Sequence, residues 1–292
     1  KNNRSIVVYA KKDKVKNLLI YDAVNKILNK NKILAPKLIN QNYKNNYIEV
    51  EDFGDNTLYK VLKHNKTNKE LFFIKILKTL SRLQLIKDKQ ILNFNRQKYK
   101  VQKYEDKILL NEAKLFSEWY APTKINKFQI RKFKKGYQNE VKKLLSKLNL
   151  KNDTFVHRDF HVSNLMYVKN NIAVIDSQDA LIGNKTYDLA SLVDDVRFKT
   201  SNKLKNKILN NYFKKLTKTE IKEFINDFEI LSVLRNLKII GIFMRLALRD
   251  NKKKYAKMIP YAWEMINYRM RKNREFNSLK LILKHNFPKF VK

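Results

Sequence analysis

The sequence predicts an α+β protein in which a small strand-bearing N-terminal lobe precedes a large, mostly helical one. Three observations carry that expectation. Short apolar runs typical of strands cluster in the first fifty residues, helical apolar spacing dominates from residue 57 onward, and a further strand hairpin stands near residue 170. With 292 residues, 43% of them hydrophobic, the chain can bury an apolar centre in each lobe.

Residues 5–10 read as a strand and 15–28 as an amphipathic helix with apolar positions at 15, 18, 19 and 27. Two short strands, 37–39 and 47–50, flank the polar turn 42–46. Gly54 ends this lobe, and Asp55 to Thr57 offer side chains that can cap a following helix. The boundary is therefore set between residues 53 and 54, giving lobes of 1–53 and 54–292. Helices are expected over 68–88, 105–120, 130–149, 186–199, 202–214, 218–249, 252–271 and 275–286, with everything after residue 57 helical apart from 153–176. The Lys/Asn-rich stretches 63–69 and 201–207 read as solvated loops.

The chemistry concentrates in HRDFHVSNLMYV at 157–168 and NIAVID at 171–176. Residues 164–168 and 172–175 form two apolar runs around a polar turn, so antiparallel pairing brings Asn164 and Asp176 to one end of a hairpin. His157, Asp159, Asn164 and Asp176 then stand in the order of a phosphoryl-transfer site. One acid serves as catalytic base, while Asn164 and Asp176 offer the hard oxygen ligands that magnesium prefers.

Composition narrows the partners. The formal charge of +37 arises from 64 Lys and Arg against 27 Asp and Glu, a field that attracts polyanions in general. The excess is mostly lysine, spread end to end and accompanied by abundant Asn and Ile, as an AT-rich genome would give. No specific nucleic-acid partner is expected. The chain has no cysteine, which excludes disulfides and thiolate chemistry, and no apolar run approaches a membrane span of about 18 residues. A cytoplasmic chain without a membrane partner is the expectation. Its four glycines, at 54, 136, 183 and 241, stand apart, so there is no glycine-rich phosphate loop. Since the chain begins at Lys1, a preceding strand pair that would cover a nucleotide is expected to be missing.

Several other residues are candidates. The backbone of Glu49, Val50, Glu51 and Asp52 has the place of a lobe connector able to bond an adenine edge, or of an ordinary strand end. Asp188 either orients the catalytic loop, through its backbone or His157, or is a first-turn acid favoured by the helix dipole. Gln178 and Asp179 are placed to meet a substrate hydroxyl, and His161 is assigned to the substrate side too. Glu118 and Trp119 offer a carboxylate and a ring face for a sugar, against the commoner fate of core packing. Arg235, Lys238, Arg245 and Arg249 fall within an arc of roughly 80° on one helix, a stripe that binds a carboxylate or phosphate or simply faces solvent.

These residues resemble a known family. The His157-x-Asp159, Asn164 and Asp176 pattern is similar to the aminoglycoside phosphotransferase and choline kinase superfamily. The strings VEDFGDNT, AKLFSEWY, HRDFHVSNLM, IDSQDALIGNKTYDLASLVDD and LRNLKIIGIFMRLALRD look more narrowly like the anomeric kinases of N-acetylmuramic acid and N-acetylglucosamine. The resemblance implies a two-lobed, protein-kinase-like fold with a nucleotide-binding first lobe. It implies Asp159 as base with His157 in the catalytic set, Asn164 and Asp176 on Mg2+, and residues 49–52 at the adenine of ATP. A monomer acting on a small amino sugar in peptidoglycan recycling is expected. Aminoglycoside, choline or homoserine kinases are the alternatives, and a non-catalytic nucleic-acid or anionic-lipid binding module is the alternative of another class.

Asp52-Phe53-Gly54 resembles the magnesium-binding triplet of protein kinases, but it precedes the catalytic run by more than a hundred residues instead of following it. The resemblance does not choose between Lys11 and Lys12 as a phosphate contact. Ser177, where close relatives tend to carry an aromatic, is expected to alter the substrate floor.

Overall fold

In the computed structural model, which describes residues 4–64, 68–214 and 216–291, strand β1 (Ser5–Tyr9) leads to helix α1 (Lys16–Lys30), strands β2 (Leu38–Asn42) and β3 (Tyr47–Glu51), and helices α2 (Leu58–Lys63) and α3 (Lys69–Gln84). A small hairpin, β4 (Gln90–Leu92) and β5 (Lys98–Lys100), precedes α4 (Asp106–Leu115) and α5 (Lys127–Leu145). Strands β6 (Asn152–Val156), β7 (Leu165–Val168), β8 (Asn171–Val174) and β9 (Leu181–Asn184) follow. Helices α6 (Thr186–Val193), α7 (Asn202–Phe213), α8 (Lys218–Leu248), α9 (Ile259–Met270) and α10 (Asn277–Asn286) complete the order. The chain packs as two units: residues 1–103, 152–192 and 201–214 in the first, and 104–151, 193–200 and 215–292 in the second. The 53/54 boundary drawn from the sequence falls inside the first.

In the first unit, β3 is the central strand of an antiparallel sheet ordered β1-β3-β2. Its alternation explains the packing: Ile48 and Val50 point inward and are buried with Leu18 of α1, while Glu49 and Glu51 take the other face. Full burial of each such side chain is worth about 1.5–3 kcal/mol. The hairpin β4–β5 corrects the expectation of uninterrupted helix around it. Asn93 turns the chain by accepting from the amides of Asn95 (2.9 Å) and Gln97 (3.1 Å), and Arg96 takes a left-handed φ of 57°. The stretch 201–207 is likewise corrected. Ser201 accepts from the amide of Leu204 at 3.2 Å and starts α7, as the expected helix 202–214 requires; the stretch is largely exposed apart from buried Lys205, so only its reading as a loop is corrected. Of 63–69, residues 65–67 lie outside the described residues.

In the second unit, Thr217 and Glu220 form a capping box that opens the 31-residue helix α8. Gly241, midway along it, lies against the backbone of Leu115 and Phe116, so closely that a Cβ would collide with main-chain atoms. Just there α4 gives way to a wider π turn, Phe116–Tyr120. Phe116, Tyr120, Trp263 and Phe287 pack around it, with Phe116 and Tyr120 stacked at 5.3 Å and Phe116 edge-on to Trp263 at 5.6 Å. Asp194, fully buried, is held by the Arg269 fork at 2.7 and 3.1 Å and by the Ser232 hydroxyl at 2.6 Å. Burial opposes the Arg269 charge, yet Asp194 keeps that guanidinium above its ordinary value. Asp227 of α8, also fully buried, accepts from the successive amides of Asn149 (2.8 Å) and Leu150 (2.9 Å). Among the described residues no helix is long and apolar enough to cross a membrane.

Candidate active site

The site begins with the hairpin. Strands β7 and β8 pair from Leu165↔Val174 to Val168↔Asn171, and the Ile175 amide donates to the Asn164 carbonyl at 3.1 Å. This brings the Asn164 Nδ2 to 3.4 Å from Asp176 Oδ2. Asp176 is exposed and has a left-handed φ of 62°, a conformation that costs a non-glycine residue energy unless its neighbours hold it. Gln178 donates to its other carboxylate oxygen at 3.0 Å.

This pair fits magnesium. Two oxygen-bearing side chains at an open edge match an ion that takes one or two protein carboxylates and completes its shell with water and phosphate. Among the described residues no cluster of three His, Cys, Asp or Glu offers an all-protein cage. The Asn164 NH2 is held by the Asp159 carbonyl at 3.2 Å, which leaves the amide Oδ1 as the atom that would meet a cation.

The loop between β6 and β7 carries Asp159. Asp188, in the first turn of α6 and 1% exposed, accepts from the backbone amides of His157 (2.7 Å) and Arg158 (2.9 Å). These bonds brace Arg158, whose φ of 74° is again left-handed. Beyond them the Asp159 carbonyl accepts from the His161 amide (2.9 Å) and the Asn164 side chain (3.2 Å), which joins the loop to the hairpin.

His157 is fully buried, and its Nε2 lies 3.1 Å from the Ile175 carbonyl. Only a protonated nitrogen can meet a carbonyl, so Nε2 carries the hydrogen. Burial lowers its pKa, outweighing the nearby charges of Asp159 and Asp176 that raise it, so the ring is neutral. That corrects the expectation of a catalytic His157: the ring is sealed from solvent and ties the loop to the residue before Asp176. His161 is also buried, at 4% exposure, whereas Gln178 is half-buried and Asp179 exposed.

A cleft of about 730 Å³ opens beside Asn164 and Asp176, within the range of small-molecule sites. Its apolar lining includes Val8, Val50, Phe53, Met166 and Ile175, and its cations are Lys11, Lys14 and Lys60. Lys12 is not among the lining residues. Nor is Glu49, which corrects its assignment to the adenine edge: the backbone of Glu49 and Val50 lies inside the ladders on both sides of β3, and the Glu51 amide donates to Lys37. The first backbone past the ladders is Asp52 to Gly54, where Gly54, at a φ of 75°, turns the chain and donates to Asp52 Oδ1 at 2.7 Å.

Helix α1 supplies residues that sequence reasoning missed. Tyr21 lines the cleft, and its hydroxyl is pushed up by burial, eased by a hydrogen bond with Asn25 and raised further by the Asp176 charge. Asn25, one turn on, accepts from the Ser177 hydroxyl at 2.6 Å. Ser177 is fully buried in that bond. The Tyr21–Asn25 spacing of four on a helix was the one available signal.

In the second unit, Glu118 is exposed and Trp119 half-buried on the π turn. The basic stripe of α8 divides. Arg249 is paired with its neighbour Asp250 at 2.7 Å on the surface, and Lys238 with Glu112 at 3.0 Å. Arg235 is 3% exposed, with its Nη1 buried and unbonded among the described residues. A buried cation in that state has donors left for an anion.

A sequence profile described as the phosphotransferase enzyme family matches residues 8–224. The chain belongs to that family. Within it, the chain is 34% identical over 182 residues to the N-acetylmuramate/N-acetylglucosamine kinase of Neisseria meningitidis serogroup B, covering 60% of this chain and 54% of the relative. The Pseudomonas aeruginosa protein of the same name is 28% identical over 236 residues, 77% of this chain and 65% of the relative. The chain thus spans between half and two thirds of these phosphotransferases' length. Among solved structures, an ADP-bound aminoglycoside phosphotransferase superposes with a TM-score of 0.58 at 17% identity, over 91% of this chain and 88% of that one. A choline/ethanolamine kinase family protein of Mesorhizobium loti reaches 0.63 at 10% identity, over 98% and 88%. Those likenesses establish the protein-kinase-like fold.

Proposed function

We propose that this chain carries the phosphoryl-transfer machinery of an ATP-dependent amino-sugar kinase acting on the anomeric hydroxyl of N-acetylmuramate or N-acetylglucosamine, a step of cell-wall recycling. The observation that carries the reading is the convergence of Asn164 and Asp176 at one hairpin end, beside the cleft and tied to the Asp159 loop through the Asn164 side chain. The choice of sugar is supported by the names of the relatives at 28–34% identity. For the aminoglycoside and choline readings there is fold likeness alone.

Asp159 orients the acceptor hydroxyl and takes its proton as the oxygen attacks. Asp188 fixes the preceding two residues so that this carboxylate need not be reorganised in the transition state. Asn164 and Asp176 would hold Mg2+, which when bound would supply positive charge to the phosphates. The apolar cleft would receive the adenine, and Asp52 to Gly54 are the first backbone beyond the ladders that could bond its edge. Lys11, Lys14 and Lys60 are the cations available to the triphosphate. His157 is a positioning residue. On the substrate side, His161, Gln178, Asp179, Glu118, Trp119 and Arg235 remain the candidates.

The test is Mg2+-dependent ADP release from ATP with N-acetylmuramate, N-acetylglucosamine, kanamycin and choline as separate acceptors, with Asp159→Asn as control and phosphorus NMR of the product. Turnover confined to the N-acetylated sugars, lost in the control and yielding a 1-phosphate, is expected. Turnover with kanamycin or choline instead would overturn the reading.

A further inference from the structure

We propose that Asn25 and Ser177 form a buried polar latch through which helix α1 positions the metal-side carboxylate of Asp176. The inference rests on the reading of Asp176 as a magnesium ligand and adds a positioning residue on a helix 152 residues away in sequence. Asp176 sits between residues fixed by other elements. Before it, Ile175 is held at both backbone groups, its amide by the Asn164 carbonyl and its carbonyl by His157. After it, Ser177 is fully buried and gives its hydroxyl hydrogen to Asn25 Oδ1 at 2.6 Å, while its carbonyl receives the Ala180 amide at 3.1 Å. A left-handed, non-glycine Asp176 persists only because both flanks are pinned.

The orientation of Asn25 is determined. Its Nδ2 donates to the carbonyl of buried Pro36 at 3.1 Å, which leaves Oδ1 as the acceptor for Ser177, and the residue is only 3% exposed. Neither partner can turn to water if the other is removed. The same helix lines the cleft one and two turns earlier with Tyr21, Leu18 and Asn17. Tyr21 is close enough to Asp176 for that charge to raise its hydroxyl pKa. Occupancy of the cleft and placement of the carboxylate therefore act on one rigid element, and a shift of α1 would be felt at Asp176 through the Ser177 hydroxyl.

The experiment compares Ser177→Ala, Ser177→Thr, the double variant Ser177→Ala/Asn25→Leu and Asp176→Asn. Mn2+ affinity of the ADP-bound protein is read by water-proton relaxation, the Mg2+ concentration for half-maximal turnover by kinetics, and folding by thermal midpoint. Ser177→Ala is expected to weaken Mn2+ binding and raise the Mg2+ requirement about tenfold, with the acceptor KM unchanged. Ser177→Thr, which keeps the hydroxyl, is expected to rescue both. The double variant also strips the Pro36 carbonyl of its donor, so its thermal midpoint should stay low together with its Mn2+ affinity. Wild-type Mn2+ affinity in Ser177→Ala and in the double variant, with only the thermal midpoint moved, would overturn the latch while leaving the function intact. Unchanged Mn2+ affinity in Asp176→Asn would instead remove the metal assignment itself, and the latch with it.

Discussion

Two buried aspartates in different units use the same device to different ends. Asp188 accepts from the successive amides of residues 157 and 158, and Asp227 from those of residues 149 and 150, at distances of 2.7–2.9 Å in each case. In both, a carboxylate out of water is stabilised by two charge-assisted bonds from main chain that would otherwise lack partners. The difference lies in the next residue. After Asp188's amides comes Asp159 beside the hairpin, while after Asp227's comes Lys151, exposed at the start of β6. A buried acid that holds a loop is thus a structural device that chemistry can borrow, and its burial alone does not mark a catalytic site.

The two acids differ most at the residues they present. Asp159→Asn is expected to lower kcat about a thousandfold or more with no change in thermal midpoint, measured by ADP release and calorimetry. Lys151→Ala, its counterpart, should change neither. At the acids themselves the stability losses should match. Asp188→Asn and Asp227→Asn each replace one acceptor by an NH2 facing a backbone amide, at a cost of about 2–3 kcal/mol in urea unfolding. Only Asp188→Asn should also lower kcat, by about tenfold or more, since the oriented loop is lost. Equal kcat losses in the two variants would erase the distinction drawn between the sites.

The smallest effect is one of pH. Burial holds His157 below its ordinary value of 6.5, so on acidification the unfolded chain takes up the proton before the folded one does. The unfolded state then binds more protons, and stability, complete above pH 6.5, falls as pH drops below it. His157→Gln, which can still donate to the Ile175 carbonyl, should flatten this dependence between urea midpoints taken at about pH 7.5 and 5.5. An unaltered slope would show that the drop arises elsewhere.

The parts of this design visible in the sequence are those built from neighbours. The 164–175 hairpin follows from two apolar runs and a polar turn, and with it the meeting of Asn164 and Asp176. Helix α8 shows itself over 218–249, while its Thr217–Glu220 capping box belongs to the folded chain. Hairpin β4–β5 escaped because three-residue strands such as Lys98–Lys100 carry too little apolar pattern to stand out from loop. The pairing of β6 with β9 joins segments some thirty residues apart, and nothing local in Leu181–Asn184 announces it. At Glu49 a strand end and a connector look alike until the ladders are known. Ser177 and Asn25, Asp227 and its amides, and the burial of Arg235 depend on contacts that only the folded chain defines. Asp188 is an intermediate case: its place in a first helical turn was readable, but the choice between helix dipole and loop brace was not.

The crowding at Gly241 gives the chain's scarcity of glycine a second meaning. Glycine codons are rich in G and C, so a genome drifting toward A and T sheds glycine wherever an Asn, Lys or Ser will serve. Where main chain meets main chain at Leu115 and Phe116, no such replacement has room for even its first carbon. A side chain at residue 241 would push α8 away from the start of the π turn, so this glycine sets how closely the two main chains approach.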